Sequence, residues 1–92
     1  MDTAKIKSIC QQNGITYLGV FGSFARGEHT PSSDVDLLVE YKNTPSLLEE
    51  GRIINLFQDV FNREVDLVSK KLLKERIRPY VLKDLKVLYE EN

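Results

Sequence analysis

Apolar and polar positions along this chain follow two rhythms, and each switch between them marks a new element. Ile6, Ile9 and Cys10 recur three to four residues apart. That spacing predicts one face of a helix, with Asp2 or Thr3 as its cap and Gly14 as a left-handed stop. Ile15–Phe21 is short and rich in β-branched and aromatic residues, which predicts a buried strand. Gly22 and Ser23 interrupt it, Phe24-Ala25-Arg26 predicts a helical turn, and residues 27–33, with His29 and Pro31, predict a loop. A second strand is expected over Val35–Tyr41.

The second half repeats the exchange. Thr44 before Pro45 is a helix-start pair, because proline suits the first helical position and threonine accepts free amide hydrogens. Leu47, Leu48, Ile54, Leu56, Phe57, Val60 and Phe61 carry that helix to about Asn62. Residues 64–69 alternate polar Glu64 and Asp66 with apolar Val65 and Leu67, as a third strand does. A basic helix is expected from Lys70, bent or restarted at Pro79, and residues 86–89 either continue it or form a fourth strand, the reading favoured here. Strands separated by helices predict a single α/β domain over residues 1–92, a small sheet of mixed direction flanked by helices.

Composition narrows the class. Hydrophobic residues are 41% and charged residues 29% of the 92, which is ordinary for a globular protein and too apolar for a disordered one. The formal net charge of −1 argues against a whole surface that binds nucleic acid. That near-neutrality is divided: residues 1–69 carry −4, residues 70–86 carry +5 and residues 87–92 carry −2. The basic stretch has an apolar companion face in Leu72, Leu73, Ile77, Val81 and Leu85. It reads as an amphipathic cover for the sheet, or as a surface for an acidic partner or a nucleotide's phosphates. Cys10, the one cysteine, has no partner for an internal disulfide and packs on the apolar helix face. No secretion signal opens the chain and no membrane-length apolar run occurs, so a cytoplasmic protein is expected.

Three features bear on chemistry. Gly22-Ser23 lies between a strand and a helical turn, where free amide hydrogens and a hydroxyl face outward; such a turn suits a phosphate, or simply caps the helix. Asp34-Val35-Asp36 heads a strand, and strand alternation points both carboxylates one way. Like charges so held raise each other's pKa unless a cation such as Mg²⁺ lies between them, although a loop-closing Asp34 and a solvated Asp36 are the plain reading. Asp66 is polar in a half-buried strand, an ordinary feature, and joins the other two only if its strand pairs beside the second.

Together the three follow an ordered pattern: Gly22-Ser23, ten intervening residues, Asp34-X-Asp36, then an acid on a later strand. This resembles the DNA polymerase β-like nucleotidyltransferase superfamily, and within it the minimal nucleotidyltransferases that serve as antitoxins of HEPN-domain partners. Gly22-Ser23-Phe24-Ala25-Arg26-Gly27-Glu28 and Ser33-Asp34-Val35-Asp36-Leu37-Leu38-Val39 carry the likeness. It implies that fold, and Gly22 and Ser23 as holders of a triphosphate, with Arg26 adding charge. It also implies Asp34, Asp36 and Asp66 as catalytic ligands of two Mg²⁺ ions, Asp66 helping to deprotonate the acceptor. The implied reaction moves AMP from ATP or another nucleoside triphosphate to a tyrosine of the HEPN toxin.

Only 26 residues follow Asp66, so the acceptor is expected to be presented by another protein, with no direct nucleic-acid binding and no membrane. Rival readings are a non-catalytic antitoxin that neutralises its partner by binding, and a transferase acting on a small molecule or RNA end. The oligomeric state is left open. No base-reading residue is identifiable in the sequence, so the choice of nucleotide is left open.

Overall fold

The computed structural model describes residues 2–91. Asp2 caps α1 (Thr3–Gln12) by accepting a hydrogen bond from the Lys5 amide, and Gly14 turns the chain out of it with φ +68°. The helix leads into β1 (Ile15–Phe21), the short α2 (Gly22–Arg26) and β2 (Val35–Tyr41). Then come α3 (Leu47–Phe61), β3 (Val65–Ser69), a 3-10 turn over Lys70–Leu72, α4 (Arg78–Asp84) and β4 (Lys86–Glu90). The four strands form one sheet in the order β3-β2-β1-β4. β1 runs antiparallel to both its neighbours, and β2 and β3 are parallel, joined through α3 as a parallel pair requires. The expected mixed sheet flanked by helices is therefore present, and residues 86–89 belong to a strand.

Each face of the sheet has its own core. On one side Ile6, Ile9 and Cys10 of α1 and Ile53 and Phe57 of α3 pack on Leu18, Val20, Val35, Leu37 and Val39. A register shift near Thr16 lets Ile15 join this face although Tyr17 points to the other, and the Thr16 hydroxyl donates to the Glu40 carbonyl at the same place. On the other side Tyr17 and Leu38 meet Leu73 and Val81, with Phe21, Val68 and Leu85 half-buried around them. Burial pushes the Cys10 thiol up to about 12, so it stays a neutral packing group. Among the described residues no helix is long and apolar enough to cross a membrane.

Two elements differ from the sequence expectation. Thr44-Pro45 does not start α3. Ser46 does, its hydroxyl accepting from the Glu49 amide, because Ser46-X-X-Glu49 places a hydroxyl and a carboxylate at the capping-box positions. Leu47 and Leu48 consequently sit in the first turn and are 89% and 83% exposed, while Ile53 and Phe57 carry the buried face. The basic stretch is likewise no continuous helix. It breaks after Leu72, and α4 restarts at Arg78 with Pro79 in its first turn, where the missing amide hydrogen costs nothing. Leu73, Val81 and Leu85 reach the sheet, whereas Leu72 and Ile77 face outward.

Candidate active site

β1 delivers the chain to a sharp turn. Phe21 is extended, Gly22 takes φ +77°, and α2 begins at once. α2 closes on Gly27, also left-handed at φ +75°, as the Gly27 amide donates to the Phe24 carbonyl (3.3 Å) and the Glu28 amide to the Ser23 carbonyl (3.0 Å). Glycine suits position 22 on two counts. An L side chain is strained at that φ, and a Cβ there would lie 2.6 Å from Oδ2 of Asp36.

The acids are brought together by sheet register. Asp36 pairs with Phe21 across the antiparallel β1–β2 ladder and with Asp66 across the parallel β2–β3 ladder. Directly opposed residues share a face, so the Asp36 carboxylate sits between the glycine turn and Asp66. Asp34, two residues back and just before β2 begins, completes the group at the strand heads. Asp36 is half-buried, and Asp34 and Asp66 are exposed. Burial, then the charges of Asp66 and Asp34, raise the Asp36 carboxyl above its ordinary range.

That raised pKa, with two further carboxylates facing Asp36, bears on whether a cation fits. The donors are hard carboxylate oxygens, the type Mg²⁺ prefers, and the mutual repulsion is what a cation relieves. Among the described residues no three His, Cys, Asp or Glu side chains are gathered closely enough to hold an ion as they stand.

Arg26 is placed beside this turn but is already engaged. Its Nε meets Glu28 at 2.7 Å and its Nη1 meets Asp84 at 2.6 Å, tying α2 to α4. It lines a cavity of about 190 Å³ together with Gly22, Asp84, Val81, Phe21 and Tyr80. Tyr80 is 75% exposed at that rim. His29 is an exposed loop residue whose ring lies 4.5 Å from that of Phe24. One residue that sequence reasoning passed over is Arg63, which reaches back from the start of β3 to the loop before Asp34. No local pattern marks it, since its acceptors lie thirty or more positions away.

Residues 4–92 match the model of the family described as Polymerase beta, Nucleotidyltransferase. The chain belongs to the polymerase β nucleotidyltransferase family. A relative from Thermococcus cleftensis, named protein adenylyltransferase MntA, is 39% identical over 83 residues, covering 90% of this chain and 84% of its own. A solved chain described as a candidate minimal nucleotidyltransferase superposes with a TM-score of 0.73 at 33% identity, covering 94% of this chain and 95% of its own. A chain in the structure of a tri-AMPylated Shewanella oneidensis HEPN toxin with an MNT antitoxin superposes with a TM-score of 0.69 at 19% identity. That match covers 96% of this chain and 69% of the other, and it shows the shared fold. As a member of this family the chain is a nucleotidyltransferase, and its four-stranded mixed sheet is the family's fold.

Proposed function

We propose that this nucleotidyltransferase moves AMP from ATP to a tyrosine of a HEPN-domain protein and so silences that partner as its antitoxin. The observation that carries the reading is the register placing Asp36 between the Gly22 turn and Asp66. Gly22 and Ser23 hold the triphosphate, and Arg26 adds positive charge from the cavity rim, shared with Glu28 and Asp84. Asp34, Asp36 and Asp66 would hold Mg²⁺, two ions on this reading. Bound there, the ions would neutralise charge on the entering oxygen and on the departing pyrophosphate.

The chain's own residues do the rest. Asp66 receives the proton as the tyrosine oxygen bonds to the α-phosphorus, and the bond to pyrophosphate breaks on the opposite side. AMP stays on the acceptor and pyrophosphate leaves. The name of the Thermococcus cleftensis relative and the AMPylated toxin in the Shewanella oneidensis complex support the acceptor class.

Two labels test it. With Mg²⁺ and a HEPN-domain protein from the same genome, α-labelled ATP should mark the partner and γ-labelled ATP should not. Transfer of the γ-label would identify a kinase instead, and label confined to RNA or a small molecule would reject the protein acceptor.

A further inference from the structure

We propose that Arg63 is a positioning residue for this site, holding the loop that presents Asp34 in register with the Gly22-Ser23 turn and Asp66. The inference rests on the reading of the acids as cation ligands. Arg63 follows the Asn62 cap of α3 and stands three residues before Asp66. Its Nη1 donates to the Thr30 carbonyl at 2.6 Å and to the Ser33 carbonyl at 3.2 Å, and Ser33 immediately precedes Asp34. Its guanidinium carbon lies 5.5 Å from the centre of the Phe24 ring, and Phe24 immediately follows Ser23. One side chain therefore touches the neighbours of Asp34 and of Ser23 while its own backbone leads into β3.

Beyond the His29 ring, 4.5 Å from that of Phe24, the loop has little else to hold it. Residues 29–33 carry no helix or strand, and the Thr30 and Ser33 contacts with one another are internal to the loop. Among the described residues, the hydrogen bonds that reach 29–33 from outside the loop come from Arg63. At the end of the loop the Val35 amide donates to the Glu64 carbonyl at 2.9 Å, which fixes where β2 begins but not where the preceding carbonyls sit. Among the described residues Arg63 is in no ion pair, so its charge and donors are committed to these carbonyls and to the ring. Arginine suits the task because a planar guanidinium donates along its edge and covers a ring with its face, whereas lysine offers donors without the plane.

Loss of such a support leaves Asp34 in place in the sequence but spread over many positions. Groups that orient metal ligands typically change metal affinity by about 10- to 100-fold when removed. Wild type, Arg63→Met, Arg63→Lys and Asp36→Asn should be compared for Mn²⁺ affinity by water-proton relaxation, with a non-hydrolysable ATP analogue present. Amide hydrogen exchange at 30–34 and the Mg²⁺ dependence of transfer complete the set. Arg63→Met is expected to weaken Mn²⁺ about 10-fold, to speed exchange at 30–34, and to recover rate as Mg²⁺ is raised. Arg63→Lys should fall between it and wild type, and millimolar guanidinium should restore affinity to Arg63→Met but not to Asp36→Asn. An Arg63→Met protein with wild-type Mn²⁺ affinity, or one slowed by the same factor at every Mg²⁺ concentration, overturns the proposal. A wild-type protein that binds no Mn²⁺ would instead remove the reading of the acids on which it rests.

Discussion

Oδ2 of Asp36 lies 2.6 Å from the point where any residue but glycine would carry its Cβ at position 22. The Gly22-Ser23 turn and Asp36 thus approach each other through a missing atom, which links the two halves of the sequence pattern in space. Gly22→Ala must both hold a strained φ of +77° and push the carboxylate aside. The strain costs about 1–2 kcal/mol, read as a lower melting temperature. Displacement of an acid by even an ångström should slow transfer by about 100-fold. A Gly22→Ala protein with wild-type turnover would show that this close approach has no part in the reaction.

Asp36 carries a charge that its surroundings disfavour. Its carboxyl is raised by burial, then by Asp66 and Asp34, so above the folded pKa the fold carries an uncompensated charge. As pH falls through that pKa the folded chain takes up the proton before the unfolded one does, and stability in chelator rises. Asp36→Asn removes the charge at every pH. In chelator at neutral pH the variant should melt higher than wild type, and Mg²⁺ with ATP should raise the wild-type melting temperature and leave the variant nearly unmoved. Thermal melts with and without chelator check both signs.

Strands were legible because short β-branched runs bounded by glycine or polar turns have few alternatives, and β1 and β2 fall where those runs lie. The acids were legible as a pattern, but the pairing of Asp36 with Asp66 was not. Parallel register across a helix is set by how α3 packs, and no short-range signal encodes it. The start of α3 was misread because Thr44-Pro45 and Ser46-X-X-Glu49 are competing start signals two residues apart, and only the second closes its hydrogen bond. The 70–77 stretch has helical composition, yet the chain makes a 3-10 turn over Lys70–Leu72 and becomes α-helical only at Arg78, where Pro79 suits a helix's first turn. Arg63 escaped because its partners are 33 and 30 residues away.

Ser46 offers a control that separates stability from chemistry. Its hydroxyl caps α3 beyond Tyr41, at the end of β2 opposite Asp36. Ser46→Ala should cost about 1 kcal/mol in urea unfolding and leave the transfer rate unchanged. An equal loss of rate would mean that the site responds to general loosening of the fold.

Cys10 should be silent at neutral pH. Burial pushes its thiol up to about 12, so the folded chain keeps the proton when an unfolded thiol, near 9.0, has lost it. Native protein at pH 8 should react with a thiol reagent only on the timescale of unfolding, and stability should decline as pH rises above 9.0. Rapid labelling of native protein would place the thiol outside the core.

Intact-mass spectrometry of the HEPN-domain partner, co-expressed with wild type or with Asp36→Asn, tests the central claim most directly. The account expects the partner to gain the mass of one or more AMP groups beside wild type, located on tyrosine by fragmentation, and to stay unmodified beside Asp36→Asn. A partner that copurifies unmodified with the wild-type protein, its toxicity nonetheless suppressed, would contradict transfer and leave binding as the means of silencing.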